Sequence, residues 1–324
     1  MSSVSIREIQ EAAVRIRPQA VVTPLVPFLY GSEGDSISLK CESFQPVGAF
    51  KIRGAMNAMR QLTFEELSNG VVTQSSGNHA QAIAYAAQEL GVTAHIVMPS
   101  NSPSIKVAGV RRYNGIVYFC EPTEAARIAT CEKIKEETRA VYIHPYNDDR
   151  VIAGQGTVGL EVLEQLPAIE SLIVPIGGGG LISGIAIAIK SLKPTVRLIG
   201  VEPEGAADAL ASVNAGAITP VSGGGQSIAE GLLSTVGTRT FEIIRRHVDE
   251  IVTVSDKEIA AATLVLFERA KLVVEPSGAT AFAALLSRKC LASGPDTVVV
   301  LTGGNVDTRR FPELRNLAGL EENV

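Results

Sequence analysis

Residues 171–192 read SLIVPIGGGGLISGIAIAIKSL, and this stretch limits the possible folds more than any other. An apolar run without polar alternation leads into four consecutive glycines and then into apolar residues at helical spacing. A strand of that kind must be covered on both faces, which a parallel sheet flanked by helices provides. The alternation recurs along the chain. "GVVTQSSGNHAQAIAYAAQELG" reads as strand, polar turn and helix, "TAHIVMPS", "GIVYFCE" and "AVYIHP" as strands, and "TEAARIATCEKIKEETRA" as a helix. "GQGTVGLEVLEQLP" has helical spacing, and "VRLIGVEP" and "TVVVLTGGNVD" carry further buried strands. Ser255 stands three residues before Glu258, a capping box that opens a helix after the strand "DEIVTV". Strands alternating with helices give an α/β protein with parallel sheets. The expected division is nested: residues 72–145 form a smaller lobe inserted in a larger one built from 1–71 and 146–324.

With 324 residues, 46% hydrophobic and 19% charged, the chain can bury a large core. A net charge of −5 without a long basic run argues against a nucleic-acid partner and against a membrane surface. No signal-peptide pattern is apparent in "MSSVSIREIQEAAVRIRPQ", and no apolar run reaches the ~20 residues of a membrane span. Cys41, Cys120, Cys131 and Cys290 are scattered without a CxxC pair, which suits reduced thiols in a cytoplasmic protein.

Gly177, Gly178, Gly179 and Gly180 remove every Cβ from a strand-to-helix turn, so backbone N–H groups can approach an anion at a helix N-terminus. A phosphate fits. The dinucleotide pattern GxGxxG fails at Ile182, and no Gly-Lys-Ser/Thr closes a P-loop. A second turn, "SSGNHAQ" at Ser75–Gln81, offers hydroxyls, an amide and free N–H groups for a carboxylate; ordinary helix capping is the alternative. His79, taken alone, reads as a packing residue. Gly231 in "SIAEGL" can lie against a flat ring. Lys51 stands among small residues and Phe50 in "SFQPVGAFKIRGA". A phosphate cradle, a glycine gap and an isolated lysine together suggest pyridoxal phosphate, because burial or nearby positive charge pushes an amine toward its nucleophilic neutral form. On position alone, a solvent-facing helix lysine is the better reading.

Five motifs, "SFQPVGAFKIRGA", "SSGNHAQA", "GGGGLISG", "EPSGA" and "LTGGNVD", resemble in order and spacing the serine racemase and serine/threonine dehydratase group of fold-type II pyridoxal-phosphate enzymes, from about Ile6 to Asp307. The resemblance implies a two-lobed fold like that of the tryptophan synthase β chain, with open twisted, mostly parallel sheets flanked by helices. It implies an amino-acid substrate, racemisation of serine and β-elimination of serine to pyruvate and ammonia, with 3-hydroxyaspartate or threonine ammonia-lyase activity as the alternative. By resemblance, Lys51 is the Schiff-base lysine and Phe50 lies beneath the cofactor ring. Asn78 meets the ring's 3-hydroxyl, Gly177–Gly180 hold the phosphate, Thr302 faces the pyridine nitrogen, and Glu275 lies nearby. Ser76 is the second acid/base, opposite Lys51. Ser75, Asn78 and His79, with their backbone amides, take the substrate carboxylate; Arg127 and Ser234 match further substrate-side positions, and Tyr146 a variable pocket position.

Glu202 and Asp208 stand six apart after a buried strand. From spacing alone they read as solvated acids. The resemblance makes Glu202, the Ala206 carbonyl and Asp208 a structural site for Mg²⁺ or Ca²⁺, with Mn²⁺ as a further option. It also implies a homodimer. The ending at Val324 leaves no length for a regulatory domain, so isoleucine feedback is not expected. Nucleotide-activated members carry Lys-Thr where this chain has Pro46-Val47, which removes a charge and a hydroxyl; Gln81 and Lys106 match other contact positions, so a nucleotide effector stays open.

Overall fold

The structure is a computed structural model describing residues 4–30, 36–291 and 294–320. In chain order its elements are α1 (Ile6–Ile16), β1 (Leu25–Leu29), β2 (Ser36–Cys41), α2 (Lys51–Met59), α3 (Phe64–Ser68), β3 (Val71–Gln74), α4 (Asn78–Leu90), β4 (Ala94–Pro99), α5 (Ser104–Arg112), β5 (Ile116–Cys120), α6 (Glu124–Thr138) and β6 (Val141–Tyr142). They continue with α7 (Asp149–Gln165), β7 (Ser171–Pro175), α8 (Gly180–Leu192), β8 (Arg197–Pro203), α9 (Asp208–Ala215), α10 (Thr238–His247), β9 (Glu250–Val254), α11 (Asp256–Glu268), α12 (Pro276–Leu286), β10 (Thr297–Leu301) and α13 (Phe311–Ala318).

The continuous apolar runs become the central strands. Every residue of β7 and of β10 is buried. They lie in a six-stranded sheet of order β1-β2-β10-β7-β8-β9, parallel except for β1, which pairs antiparallel with β2 at one edge. In register, Ile173 stands between Val299 and Ile199. A second, four-stranded sheet of order β5-β4-β3-β6 is parallel throughout. The mixed α/β fold with parallel sheets flanked by helices is the expected class. The β1–β2 hairpin was not foreseen, since its short apolar alternation carries no strong periodicity. β6 is shorter than the run "AVYIHP" suggests: the His144 ring takes the N–H groups of Tyr146 and Asn147, and Pro145 has none to offer a ladder.

Local chemistry sets the helix starts. The Ser255 box forms as read: its Oγ accepts the Glu258 N–H at 3.3 Å, and the Glu258 carboxylate accepts the Ser255 N–H at 2.7 Å. Ser5 and Glu8 start α1 in the same way. All four cysteines are free. Among the described residues no helix is long and apolar enough to cross a membrane.

Helix α2 joins the two sheets. Ile52, Met56 and Met59 pack with Ile83 and Ile96 around the four-stranded sheet. Its other side meets α7 so closely that a Cβ on Gly154 would lie 2.7 Å from the Gly54 Cα. Between them is a buried charge network. Arg53 donates from Nε and Nη2 to Glu42 at 2.7 and 2.8 Å, and from Nη1 and Nη2 to Glu161 at 2.6 and 2.8 Å. Lys40 donates to Glu161 at 2.6 Å and to the Thr23 carbonyl at 2.8 Å. Lys40, Glu42 and Arg53 are 0% exposed. Burial alone would raise the Glu42 carboxyl, yet Arg53 beside it holds it below the usual range.

Removing one partner of such a pair leaves a buried charge without compensation, at about 3–5 kcal/mol. Arg53→Met should therefore lower unfolding stability by about that much in urea titrations at pH 7. A loss below about 1 kcal/mol, typical of exposed pairs, would show that the network does not hold α2.

Candidate active site

Two turns brace the N-terminus of α2. The Phe50 N–H donates to the Thr302 carbonyl at 3.0 Å, the Gly304 N–H to the Gly48 carbonyl at 2.8 Å, and Ala49 bridges to Gly303. The motifs around Lys51 and Thr302 are therefore joined backbone to backbone. Lys51 opens the helix. Its Nζ donates to the Pro145 carbonyl at 2.9 Å and lies 5.1 Å from the centroid of the Phe50 ring. No carboxylate pairs with it among the described residues. Burial pulls its pKa down to about 8.

Each glycine of the four-glycine turn has its own reason. A Cβ on Gly177 would lie 2.9 Å from the Leu232 Cα and 3.1 Å from the Gly231 carbonyl oxygen. On Gly178 it would enter the Tyr146 ring, and on Gly180 it would lie 2.9 Å from the Tyr146 Cβ. Gly179 has φ 85°, in the left-handed region that glycine adopts without penalty. All four are buried at the N-terminus of α8, where the first turn of a helix leaves N–H groups without intrahelical partners.

The turn Ser75–Gln81 opens α4, with Gly77 as N-cap and no side-chain cap. Capping therefore does not occupy Ser76 or Asn78. Ser75 Oγ accepts the Gly77 N–H at 3.2 Å. The Asn78 amide donates to the Glu275 carboxylate and accepts from Asn305 Nδ2 at 2.8 Å; Asn305 also holds the Val47 carbonyl at 2.8 Å. Burial raises Glu275 to about 7. The His79 ring is 1% exposed, with Nε2 3.4 Å from the Ile143 carbonyl and Nδ1 buried without a partner among the described residues. Burial keeps it neutral, its pKa well below 6.5. What His79 offers the cleft is its backbone N–H in the first turn of α4.

Thr302 is buried at the end of β10. Gly231 is exposed, and its N–H donates to Ser277 Oγ at 2.9 Å. Arg127 is half-buried on α6, its Nε buried without a partner among the described residues; burial raises the nearby Tyr142 and Tyr146 phenols to about 12, and the Arg127 charge only partly offsets this. Ser234 is exposed on the segment after Leu232. No described contact ties Arg127 or Ser234 to Lys51.

Glu202 is the penultimate residue of β8, Asp208 begins α9, and Ala206 lies in the single turn between them. Glu202 accepts the Ala209 and Leu210 N–H groups at 2.9 and 2.8 Å, and Asp208 accepts the Val236 N–H at 2.7 Å. Both acids are buried, and burial raises them to about 8 and about 6. Neither has a lysine, arginine or histidine partner among the described residues.

Sequence reasoning did not single out Asn305, although it stands inside "LTGGNVD"; the side chains it would meet lie far away in the chain. The Pro145 carbonyl and Ser277 carried no side-chain signal at all.

The chain matches the family described as "Pyridoxal-phosphate dependent enzyme" over residues 16–303. It is 46% identical to a serine racemase of Arabidopsis thaliana, over 93% of each chain. It is 41% identical to a beta-hydroxyaspartate dehydratase of Paracoccus denitrificans, over 92% of this chain and 95% of that protein. The structure of maize serine racemase superposes with a TM-score of 0.92 at 41% identity, covering 96% of this chain and 97% of the other.

Lys51 shifts from 10.5 to about 8 on folding. Between those values the unfolded chain binds more protons, so the Lys51 contribution to stability rises with pH there and is lost as pH falls through about 8. Ligand-free Lys51→Met should melt above the wild type at pH 7, with the gap closing as pH approaches 10.5. A gap independent of pH in calorimetry would mean that the amine is not desolvated.

Proposed function

The chain belongs to the family of pyridoxal-phosphate dependent enzymes, and on that premise we propose that it is an amino-acid racemase that interconverts L- and D-serine and also eliminates water from serine, the unsaturated amine then taking up water to give pyruvate and ammonia. The observation that carries this reading is Lys51: an amine shifted toward neutrality, without a carboxylate partner among the described residues. The similarity to serine racemases supports the substrate.

The residues present fit the cofactor. Lys51 would hold it covalently, since burial moves its amine toward the neutral form, whose lone pair can bond to an aldehyde. The buried turn Gly177–Gly180 offers its phosphate N–H donors at the positive end of α8. Phe50 and Gly231 would flank the ring, Asn78 would meet its 3-hydroxyl with Glu275 alongside, and Thr302 would face its nitrogen with a neutral hydroxyl. When bound, pyridoxal phosphate supplies a conjugated ring that accepts electron density as the bond from Cα to hydrogen breaks.

The remaining work falls to the protein. The N-terminal amides of α4, with Ser75 and Asn78, bind the substrate carboxylate. Lys51, as the neutral amine, takes the Cα proton on one side. Ser76 returns a proton on the other side, and inversion follows without the substrate turning over. Return from Lys51 restores the starting enantiomer. Elimination needs only proton removal by Lys51 and a proton for the departing β-hydroxyl.

A second reading, 3-hydroxyaspartate ammonia-lyase, draws on Arg127. Its Nε and the Gln74 Oε1 are buried without partners among the described residues, and a guanidinium suits a second carboxylate. The similarity to a beta-hydroxyaspartate dehydratase favours it too; threonine remains the other alternative.

The proposal includes a structural cation, Mg²⁺, Ca²⁺ or Mn²⁺, held by Glu202, Asp208 and the Ala206 carbonyl. Two buried acids lacking a described basic partner suit a hard divalent ion. It also includes a homodimer, a cytoplasmic setting, a small lobe of residues 72–145 within 1–71 and 146–324, and a nucleotide effector only if Gln81 and Lys106 suffice for one.

An assay of both serine enantiomers that follows chirality and pyruvate together tests the function. Lys51→Ala should abolish both outputs. Ser76→Ala should slow racemisation by ~10²–10⁴-fold, as loss of one acid–base group does, while elimination of L-serine persists. Equal losses of both in folded protein would refute chemistry on two sides of Cα. For the cation, chelation should lower the melting temperature, and Ca²⁺ or Mg²⁺ should restore it in wild type but not in Asp208→Asn. Affinity should rise from pH 6 to 8, because the two acids deprotonate across about that range. An unchanged melting temperature in verified metal-free protein would exclude the site.

A further inference from the structure

Thr240 lies in the first turn of α10, far in the chain from the four-glycine turn, yet it is 0% exposed and packed against Gly179. A Cβ on Gly179 would lie 2.9 Å from the Thr240 Cβ. Its hydroxyl accepts the Gly237 N–H at 2.8 Å. The single hydroxyl proton then has two carbonyls within reach, Gly178 at 2.8 Å and Gly237 at 3.2 Å, and the shorter contact goes to Gly178. The segment carrying it is pinned upstream, because the Val236 N–H is held by Asp208.

The consequence is orientational. A trans peptide points its C=O and N–H in opposite directions. With the Gly178 carbonyl turned to Thr240, the Gly179 N–H points away from Thr240. Without a donor, that buried carbonyl would be left unsatisfied, and the peptide would gain by rotating toward another partner. Gly179, at φ 85° and without a Cβ, offers little resistance to such a rotation.

We propose that Thr240 is a positioning residue for anion binding: its hydroxyl fixes the Gly178–Gly179 peptide so that the N–H donors of the four-glycine turn face a bound phosphate. This inference rests on the reading that the turn takes the cofactor's phosphate. Thr240 acts through that peptide, by its hydrogen bond to the Gly178 carbonyl.

The test titrates cofactor-free protein with pyridoxal phosphate and, separately, with pyridoxal, which has the aldehyde without the phosphate; visible absorbance reports binding. Wild type should prefer pyridoxal phosphate strongly. Thr240→Val, which keeps the shape and removes the hydroxyl, should weaken pyridoxal phosphate about tenfold or more, as expected for loss of one bond serving a charged group. Its affinity for pyridoxal should stay as in wild type, and Thr240→Ser should restore the preference. Should the valine variant not accumulate as folded protein, Thr240→Ala carries the same pair of titrations. A valine or alanine variant with undiminished phosphate preference overturns the proposal. So does a serine variant as impaired as valine, or an equal loss for both aldehydes, which would reveal a general packing role. A wild type without any preference would instead refute the phosphate reading of the turn, and the proposal with it.

Discussion

Arg53 is buried between two carboxylates, and the position of α2 depends on it. The guanidinium holds Glu42 beside β2 and Glu161 on α7, while Lys40 adds a second cation to Glu161. No part of this network is free to move alone, because each charge is compensated only in the assembled arrangement. α2 also carries the apolar side chains that pack against the four-stranded sheet. Lys51, two residues before Arg53, therefore enters the cleft from a helix fixed on both flanks.

Burial acts differently on groups with different surroundings. Lys51 is desolvated and donates to a backbone carbonyl rather than to a carboxylate, so its amine shifts toward the neutral form. Glu42, equally buried, stays ionised because Arg53 faces it. Glu202 and Asp208 are buried without a described counter-charge and shift the other way. The same loss of water thus has two outcomes, neutralisation or retained charge, set by whether a partner of opposite charge stands beside the group.

Much of this was legible beforehand. The unalternating runs at Ser171–Pro175 and Thr297–Leu301 gave themselves away as strands covered on both faces, since only such strands can do without polar residues. The four-glycine turn was legible as a turn from strand into helix, but not why it takes four. Tyr146, Leu232 and Thr240, which between them crowd all four Cα atoms of the turn, come from segments distant from it in the chain. The edge hairpin β1–β2 was missed because its burial is uneven and its alternation brief.

The order of motifs along the chain determined the class of fold and the residue types available for chemistry, because backbone periodicity and turn preference are local properties. Tertiary structure alone decided which carbonyl meets Lys51, that Asn305 and Glu275 share Asn78, and that Thr240 orients Gly178. Those contacts join residues dozens to more than two hundred positions apart. Their existence depends on how two sheets dock around α2, a geometry no local pattern encodes.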